Sequence, residues 1–191
     1  RAPEACSVGL APTTSTTLAL ALGDALAVAL MERREFTAER FRVFHPGGKL
    51  GAQLIKVRDV MHVGEEMPLV DEDASMRDVL LEISQKGFGI AGVTRSDGAL
   101  VGAITDGDLR RNMDGLLERR AGEVCSRDPR TIRPDALASE ALGLMNRRER
   151  PVLCIFVADP ARGPAPVGII HVHDCLRAGV DGAGPDAGQG G

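Results

Sequence analysis

The sequence predicts an α/β protein built on a two-copy internal repeat, which covers residues 57–178 of the 191-residue chain. The apolar pattern of Val70–Ile83 recurs 62 residues later in Ile132–Met145. The β-branched segments that end at Val93 and Val157 are 64 residues apart. A repeat that keeps the same order of apolar segments and turns indicates one supersecondary unit present twice.

Each copy is predicted to run as an extended lead-in, an amphipathic helix, two strands around a turn, and a final helix. In the first copy the strands are Gly89–Thr94 and Leu100–Thr105, and Ser96–Gly98 between them is a turn signal. In the second copy they are Val152–Ala158 and Pro166–Val172, joined by a longer loop rich in Pro and Gly. Two β-α-β-β-α units of this size bury too little surface alone, so their sheets should pack against each other.

The N-terminal part of the chain reads as the end of another domain. A cluster of hydroxyl residues, Thr13–Thr17, leads into the run Leu18–Met31, which is apolar on nearly every face and predicts a buried helix. A second helix should begin at Thr37 as its N-cap. The chain opens on Arg1 in the middle of a pattern, so we expect the larger part of this domain to precede it.

Four parts follow from these features. They are the remnant and linker at residues 1–54, the first repeat at 55–115, the second repeat at 116–178, and a Gly-rich tail at 179–191. The tail has almost no large apolar side chain with which to offset its ordering entropy, so we expect it to be disordered.

Composition excludes several functional classes. The net charge of -4 and the pI of about 5.6 argue against nucleic-acid binding, which needs clustered basic residues. The run Leu18–Met31 is shorter than a membrane span and is interrupted by Gly23 and Asp24, so no membrane association is expected. The four cysteines lie far apart without a C-x-x-C pair, which predicts neither a zinc ribbon nor a disulfide framework and suits the cytoplasm.

The segment Gly102–Arg110, GAITDGDLR, is the first candidate site. Thr105 is placed to cap a helix whose first turn carries Asp106 and Asp108. One interpretation is a capped helix N-terminus and nothing more. The other adds that the Thr105 hydroxyl and the Asp108 carboxylate face a cleft and bind a ribose diol, while backbone N–H groups meet a phosphate.

The second copy departs from this pattern. Asp174 keeps the position of the aspartate, but His171 stands where the first copy has threonine, so this cleft is a less typical nucleotide site. His171 and His173 alternate beside Asp174, which suggests a metal; two imidazoles and one carboxylate lack a fourth ligand, so we predict none. His62 has no partner within reach in the sequence and is predicted to lie on the surface or in a linker.

Two N-terminal segments carry further candidates. Thr13, Ser15 and Thr16 combine hydroxyls with helix N–H donors, which suits a sugar or phosphate; the alternative is a run of capping residues. His45 lies in the loop HPGGKLG, residues 45–51, which is predicted to have no regular structure. It is either an exposed histidine or an acid–base group, since its side chain titrates near neutral pH.

The arrangement of Gly, an apolar pair, Thr and Asp after an α/β repeat resembles the CBS domain pair. The segments LAPTTSTT and HPGG, followed by VRDVMH, resemble the end of the sugar isomerase (SIS) domain and its junction with that pair in D-arabinose 5-phosphate isomerases. The resemblance implies an α/β tandem CBS domain pair, packed as one module and preceded by the C-terminal helix of a SIS α/β domain. It also implies AMP, ATP or the activated sugar CMP-Kdo as a regulatory nucleotide, and no required cofactor.

The same resemblance implies that the whole protein interconverts D-arabinose 5-phosphate and D-ribulose 5-phosphate to supply Kdo for lipopolysaccharide or capsule. His45 falls on the histidine of the family's HPGG loop and would be catalytic. The family's lysine, two glutamates and main phosphate loop are expected before residue 1, so the chain alone should be inactive. A homotetramer through the SIS domain and a CBS–CBS dimer are implied. The alternative is a ligand-sensing CBS module of a non-catalytic SIS-type regulator.

Overall fold

A computed structural model describes residues 3–37, 40–41, 44, 49–147 and 151–180. The chain divides into unit 1, residues 1–46, and unit 2, residues 47–191. His45 and residues 181–191 lie outside the described residues, and so does most of the predicted tail.

Unit 1 is built around helix α1, Thr14–Arg33. Residues 40, 41 and 44 are also helical, and Thr37 Oγ1 accepts a hydrogen bond from the Arg40 N–H at 3.4 Å, as predicted for an N-cap. No residue of α1 is buried, so the burial predicted for this helix depends on protein beyond the described residues. The described part of unit 1 contains no layer that covers the helix.

Helix α1 is 20 residues long, which exceeds the apolar run that the sequence analysis measured. By length and composition alone it is long and apolar enough to cross a membrane. A core helix of a soluble protein has the same character.

Unit 2 contains the predicted repeat. Its helices are α2 Lys49–Ala52, α3 Met76–Lys86, α4 Asp106–Arg111, α5 Ala121–Val124, α6 Ala138–Met145 and α7 Val172–Arg177. Its strands are β1 Leu69–Asp71, β2 Ile90–Thr94, β3 Leu100–Thr105, β4 Ser126–Arg127, β5 Thr131–Ile132, β6 Cys154–Ala158 and β7 Pro166–His171. Short 3-10 helices lie at Val57–Asp59, Gly64–Glu66, Leu116–Glu118 and Pro160–Arg162.

The predicted strands of both copies are present within two residues of the expected bounds. Residues 49–51, which were predicted to be part of an irregular loop, instead begin the single-turn helix α2. The Pro and Gly residues that argued for the loop all precede this turn, except Gly51 inside it.

The strands form two small sheets. The first has the order β1-β2-β3-β4, with β1 parallel to β2 and the other pairs antiparallel. The second has the order β5-β6-β7, with the same pattern of one parallel and one antiparallel pair. The turn between β2 and β3 has Gly98 at φ 81°, a conformation that glycine adopts without strain.

The two copies exchange their lead-in segments, which we define as residues 57–66 and 121–130. Strand β4, in the second lead-in, pairs with β3 of the first copy, with Ser126 opposite Ala103. In the first lead-in, His62 pairs with Ile169 of β7 through two backbone hydrogen bonds of 2.8 and 2.9 Å. Each copy therefore completes the sheet of the other, which the sequence pattern did not predict.

Local signals define the helices of the repeat. Ser75 caps α3, since its Oγ accepts a hydrogen bond from the Asp78 N–H at 3.3 Å, and Gly87 ends the helix at φ 73°. Met76 and Val79 lie on the buried face of α3 and pack into the core of the first copy. Capping and amphipathicity thus agree on where this helix begins and which face it buries.

A third apolar cluster joins the two sheets. Its buried members are Ile90, Ala103, Cys154, Phe156 and Ile169. Phe156 is 1% exposed and lies against Gly92, where a Cβ would be 2.7 Å from its ring. The prediction that the two sheets pack against each other is confirmed.

Candidate functional site

A cleft of about 830 Å³ opens between the two copies, at the end of β3. We call it the first cleft. Its lining comes from Phe88–Ile90, Ala103, Thr105–Asp108, Arg110 and Arg111 of the first copy, from Ser126–Arg130, and from Pro151–Cys154 and Phe156 of the second copy. The cleft therefore contains residues of both copies, and the exchanged strand β4 supplies part of its wall.

Thr105 and Asp108 occupy the positions that the sequence predicted. Thr105 is the N-cap of α4 and its Oγ1 accepts a hydrogen bond from the Asp108 N–H at 3.4 Å. In return, Asp108 Oδ2 accepts hydrogen bonds from the Thr105 N–H at 2.9 Å and the Thr105 hydroxyl at 2.6 Å. Asp106, in the same turn, lines the cleft and is exposed. The capping interpretation is thus correct, and both aspartates also face the cleft.

Asp108 is the hub of the first cleft and is only 4% exposed. Its Oδ1 accepts hydrogen bonds from the Ser126 hydroxyl at 2.6 Å and from Arg111 Nη2 at 2.7 Å. Burial alone would raise the pKa of Asp108, but the hydrogen bonds from Ser126, Thr105 and Arg111 outweigh it and lower that pKa below the ordinary value. The carboxylate is therefore ionised at neutral pH.

The first cleft combines charge with an apolar wall. Four arginines and three aspartates line it. The arginines are Arg110, Arg111, Arg127 and Arg130. Its apolar lining includes Val152, Leu153 and Phe156 of the second copy. Cys154 is also part of this lining, and burial raises the pKa of its thiol to about 12, so it is protonated. An apolar wall with guanidinium groups beside it suits an anionic ligand that has a flat apolar part.

The second copy holds its aspartate differently. Asp174 Oδ2 accepts a hydrogen bond from the His171 N–H at 2.9 Å, as Asp108 does from Thr105. His62 Nε2 lies 3.2 Å from the same oxygen, and His62 Nδ1 lies 2.7 Å from Glu66 Oε2. His62 was expected to have no partner within reach, but it has two: Glu66, four residues on, and Asp174, which the exchange of the lead-in segments brings close although it lies 112 residues away in the sequence.

Three histidines, His62, His171 and His173, lie near Asp174. His171 Nδ1 accepts a hydrogen bond from the His173 N–H at 3.0 Å, so His171 does cap α7, at a different N–H from the one that Thr105 uses. The His171 and His173 rings stack with centroids 4.8 Å apart. Burial, followed by the charge of His173, lowers the pKa of His171. Within the described residues, no group of three or more His, Cys, Asp or Glu side chains has the geometry to hold a metal ion.

The predicted sugar-phosphate residues of unit 1 contact a carboxylate of the chain itself. Glu4 Oε2 accepts hydrogen bonds from the Thr13 N–H at 2.7 Å, the Thr13 hydroxyl at 3.2 Å and the Ser15 N–H at 3.3 Å. A hydrogen bond from the Ser15 side chain, followed by that from the Thr13 N–H, lowers the pKa of Glu4 to about 2. The Thr16 hydroxyl donates to the Thr13 carbonyl at 2.9 Å. Thr13, Ser15 and Thr16 therefore lie together at the start of α1, around Glu4.

Ser126, Arg111 and Glu4 were not predicted from the sequence. The repeat offset was a usable signal for Ser126, which lies 64 residues after His62 and occupies the equivalent place beside the aspartate of the other copy. Arg111 follows Asp108 by three residues, a spacing that allows a salt bridge on a helix. Glu4 lies nine residues before Thr13 in irregular chain, so no periodic pattern relates the two.

Comparison with known proteins gives relatives that align with most of this chain. The chain is 46% identical over 181 residues to the arabinose 5-phosphate isomerase KdsD of Yersinia pestis, and 48% identical over 183 residues to that of Escherichia coli O6:H1. These matches cover 93% and 94% of this chain and 54% of each relative. The resemblance to D-arabinose 5-phosphate isomerases is confirmed, and the chain spans about half the length of the curated relatives it matches.

Solved structures share the fold of the repeat. CBSX2 in complex with AMP superimposes with a TM-score of 0.55 at 20% identity, over 66% of this chain and 96% of that one. The CBS domain of a bacterial CNNM/CorC family Mg²⁺ transporter in complex with ATP gives a TM-score of 0.56 at 20% identity, over 70% of this chain and 92% of that one. The family model for the CBS domain matches residues 57–115 and 121–181. The chain therefore belongs to the CBS-domain family and carries two such domains in tandem.

Proposed function

We propose that the tandem CBS domains of this chain bind a regulatory nucleotide in the first cleft. The observation that carries the proposal is the buried, ionised Asp108 beside the Thr105 hydroxyl, in a cleft lined by arginines and apolar side chains. A carboxylate accepts hydrogen bonds from a ribose diol, guanidinium groups bind phosphate, and the apolar wall accommodates a base. The AMP and ATP found in two proteins of the same fold support this ligand class.

Isothermal titration calorimetry with AMP, ATP and CMP-Kdo tests the proposal. Asp108→Asn removes the charge that accepts hydrogen bonds from the ribose, so it should weaken binding of the preferred nucleotide on the order of tenfold to a hundredfold. Asp114→Asn is the matched control, since Asp114 is exposed and does not line the cleft. Equal affinities of the two variants would contradict the placement of the ribose at Asp108.

The second cleft, at His171 and Asp174, is proposed as a weaker nucleotide site. The Asp174 oxygen that faces His62 is already bonded by an imidazole at 3.2 Å, and His171 has no hydroxyl to offer. A ribose there could bond Asp174 Oδ1, but it would reach Oδ2 only by displacing His62. We therefore expect one site of higher affinity per chain, which the stoichiometry of the same titrations measures.

For the whole protein to which the chain corresponds, the proposed activity is interconversion of D-arabinose 5-phosphate and D-ribulose 5-phosphate, for Kdo, lipopolysaccharide or capsule synthesis. The names of the relatives support it over the alternative of a non-catalytic SIS-type regulator. His45 is the proposed acid–base residue. Thr13, Ser15 and Thr16 are the proposed sugar-phosphate residues, and the ionised Glu4 carboxylate would have to leave the Thr13 and Ser15 N–H groups for a phosphate to bind them.

Isomerase activity is tested with a coupled assay of D-arabinose 5-phosphate turnover. The 191-residue chain should be inactive, and a longer protein that includes the preceding domain should be active. In the longer protein, His45→Gln should reduce kcat by at least about a hundredfold, as removal of an acid–base group does. Turnover by the 191-residue chain would contradict the assignment of essential groups to the preceding domain.

The exposed apolar surface of α1 supports assembly with further protein. Leu20 and Leu22 are 69% and 62% exposed, and the other large apolar side chains of the helix are similarly exposed. We propose that a SIS domain covers this helix in a cytoplasmic homotetramer, and that the CBS domains pair as a dimer. Sedimentation of a longer protein that contains the SIS domain should give a tetramer, and a monomer would contradict the assembly.

A further inference from the structure

The carboxylate of Asp108 has no acceptor site to spare. A carboxylate accepts about four hydrogen bonds, and Asp108 already has four: two on Oδ2 from Thr105 and two on Oδ1 from Ser126 and Arg111. A ribose diol donates two more. Binding of the proposed nucleotide therefore requires that at least one of these partners leaves the carboxylate.

Arg111 is the partner that can leave with the least disturbance. The Thr105 bonds belong to the capping box that begins α4. Ser126 is held in β4, where its backbone pairs with that of Ala103. Arg111, by contrast, contacts Asp108 only with the tip of a long flexible side chain that is 67% exposed, against 5% for the Asp108 side chain. The guanidinium group can therefore leave Asp108 by rotation of its own side chain, without displacing the backbone of α4 or β4.

The Arg111 guanidinium group lies in the first cleft, beside the first turn of α4. Arg111 lines the first cleft, and its side chain folds back over Gly107, with Nη1 3.3 Å from the position that a Cβ would take there. This is the same turn that carries Asp106 and Asp108. A ligand whose ribose lies on Asp108 would bring its phosphate to the same end of α4, within reach of a side chain that pivots about its own flexible stem.

We propose that Arg111 is an exchange residue: it neutralises Asp108 in the empty cleft, and on nucleotide binding it releases that carboxylate to the ribose and pairs with the phosphate. The inference rests on the proposed function of the first cleft. It makes Arg111 a determinant of specificity, because a nucleoside without phosphate has to break the Arg111–Asp108 pair and offers the guanidinium nothing in return. A nucleotide replaces one charge-assisted bond with another.

The equivalent pair in the second copy is looser. Arg177 Nη2 lies 3.9 Å from Asp174 Oδ1, against 2.7 Å for Arg111 and Asp108. There the aspartate is held by His62 instead, at 3.2 Å. The tight arginine pair is thus a property of the first cleft and does not follow from the helix spacing alone.

The experiment compares adenosine and AMP as probes, by calorimetry on the 191-residue chain and on its Arg111→Ala variant. Removal of the arginine frees Asp108, so adenosine should bind about threefold more tightly. AMP should bind more weakly, because its phosphate loses the guanidinium group. The preference for AMP over adenosine should therefore fall about tenfold or more. Arg119→Ala removes the same charge from an exposed residue that does not line the cleft, and it should leave both affinities unchanged.

The outcomes separate this inference from the function on which it rests. If the unaltered chain binds AMP, and Arg111→Ala weakens AMP and adenosine equally or leaves adenosine unchanged, the exchange is overturned and the nucleotide site stands. If the unaltered chain binds no nucleotide, both are overturned. A lower preference for AMP together with tighter adenosine binding supports the exchange, since a merely structural role of Arg111 would shift both ligands in the same direction.

Discussion

The His62 imidazole lies between two carboxylates, those of Glu66 and Asp174. Burial lowers its pKa, but the hydrogen bonds to Glu66 and Asp174 outweigh burial, so the pKa of His62 is raised above 6.5. Its neighbour His171 also faces this group, from the end of β7, and its own pKa is lowered. One imidazole of the cluster thus holds a proton more tightly than usual and the other less tightly.

This arrangement predicts a pH dependence of stability. A raised pKa in the folded state means that protonated His62 stabilises the fold fully below pH 6.5, and that this contribution is lost as pH rises through the folded pKa. The side chain is 34% exposed, so the contribution should be less than about 1 kcal/mol. Urea unfolding of the protein and of His62→Gln between pH 5.5 and 8.5 measures it. The difference between the two should shrink as pH rises, and a constant difference would contradict the prediction.

At the scale of the elements, the exchanged lead-in segments depend on two glycines. A Cβ at Gly102 would lie 2.5 Å from Cys125 Sγ and 3.0 Å from the Ser126 carbonyl oxygen, and one at Gly168 would lie 2.7 Å from Met61 Sδ. In each copy, the glycine on the last strand makes room for the lead-in segment of the other copy. Close approach of two backbones is a use of glycine that sequence alone does not distinguish from a turn or a bulge.

Gly102→Ala should therefore displace β4. We expect a loss of about 1 to 3 kcal/mol in the free energy of unfolding, as for other overpacked sites. Gly143→Ala is the control: it lies in α6 with nothing within 4 Å of its Cβ position, so it should be neutral or stabilise by up to about 1 kcal/mol. Chemical denaturation of both variants measures their free energies of unfolding. Equal stabilities of the two variants would contradict the prediction.

The cap of α3 gives a second prediction at this scale. The Ser75 hydroxyl accepts a hydrogen bond from the Asp78 N–H and donates one to the Asp78 carboxylate at 2.7 Å. Ser75→Ala should destabilise the fold by about 1 kcal/mol. Ser84→Ala, near the other end of the same helix, is exposed and should change stability by less than about 0.5 kcal/mol. Equal effects in thermal unfolding would contradict a capping role.

At the scale of the whole molecule, the cluster between the two sheets makes unit 2 one structure. Phe156 is its largest fully buried side chain, and it also lines the first cleft. Phe156 therefore belongs both to the core between the two sheets and to the lining of the cleft. Loss of its side chain should affect stability and ligand binding together.

Phe156→Ala should destabilise unit 2 by roughly 3 to 5 kcal/mol, the usual range for a buried phenylalanine. It should also weaken nucleotide binding, because the apolar wall is lost. Leu153→Ala is the control for stability: Leu153 lines the same cleft but is 65% exposed, so the change should be within about 1 kcal/mol. Calorimetric unfolding distinguishes the two, and a loss as large for Leu153 would contradict the assignment of the core.

Much of the fold was predictable because its signals are local. Strand β3 begins and ends where alternating β-branched residues and the Thr105 cap predicted, and the 62- to 66-residue offsets identified both copies. The burial of α1 was not predictable from its composition, since burial depends on what lies next to the helix. The contact between His62 and Asp174 was not predictable either, because it arises from a pairing across more than 100 residues.

The sequence by itself determined that the chain has two copies of an α/β unit, that each copy ends in a capped helix carrying an aspartate, and that an apolar helix precedes them. These follow from periodicity, turn residues and capping, which act over a few neighbouring residues. Only the tertiary structure decided that His171 caps the helix of the second copy and what holds each aspartate. Asp108 lies with Ser126 and Arg111, and Asp174 lies with His62, because the copies exchange their lead-in strands and so bring together residues that no local pattern relates.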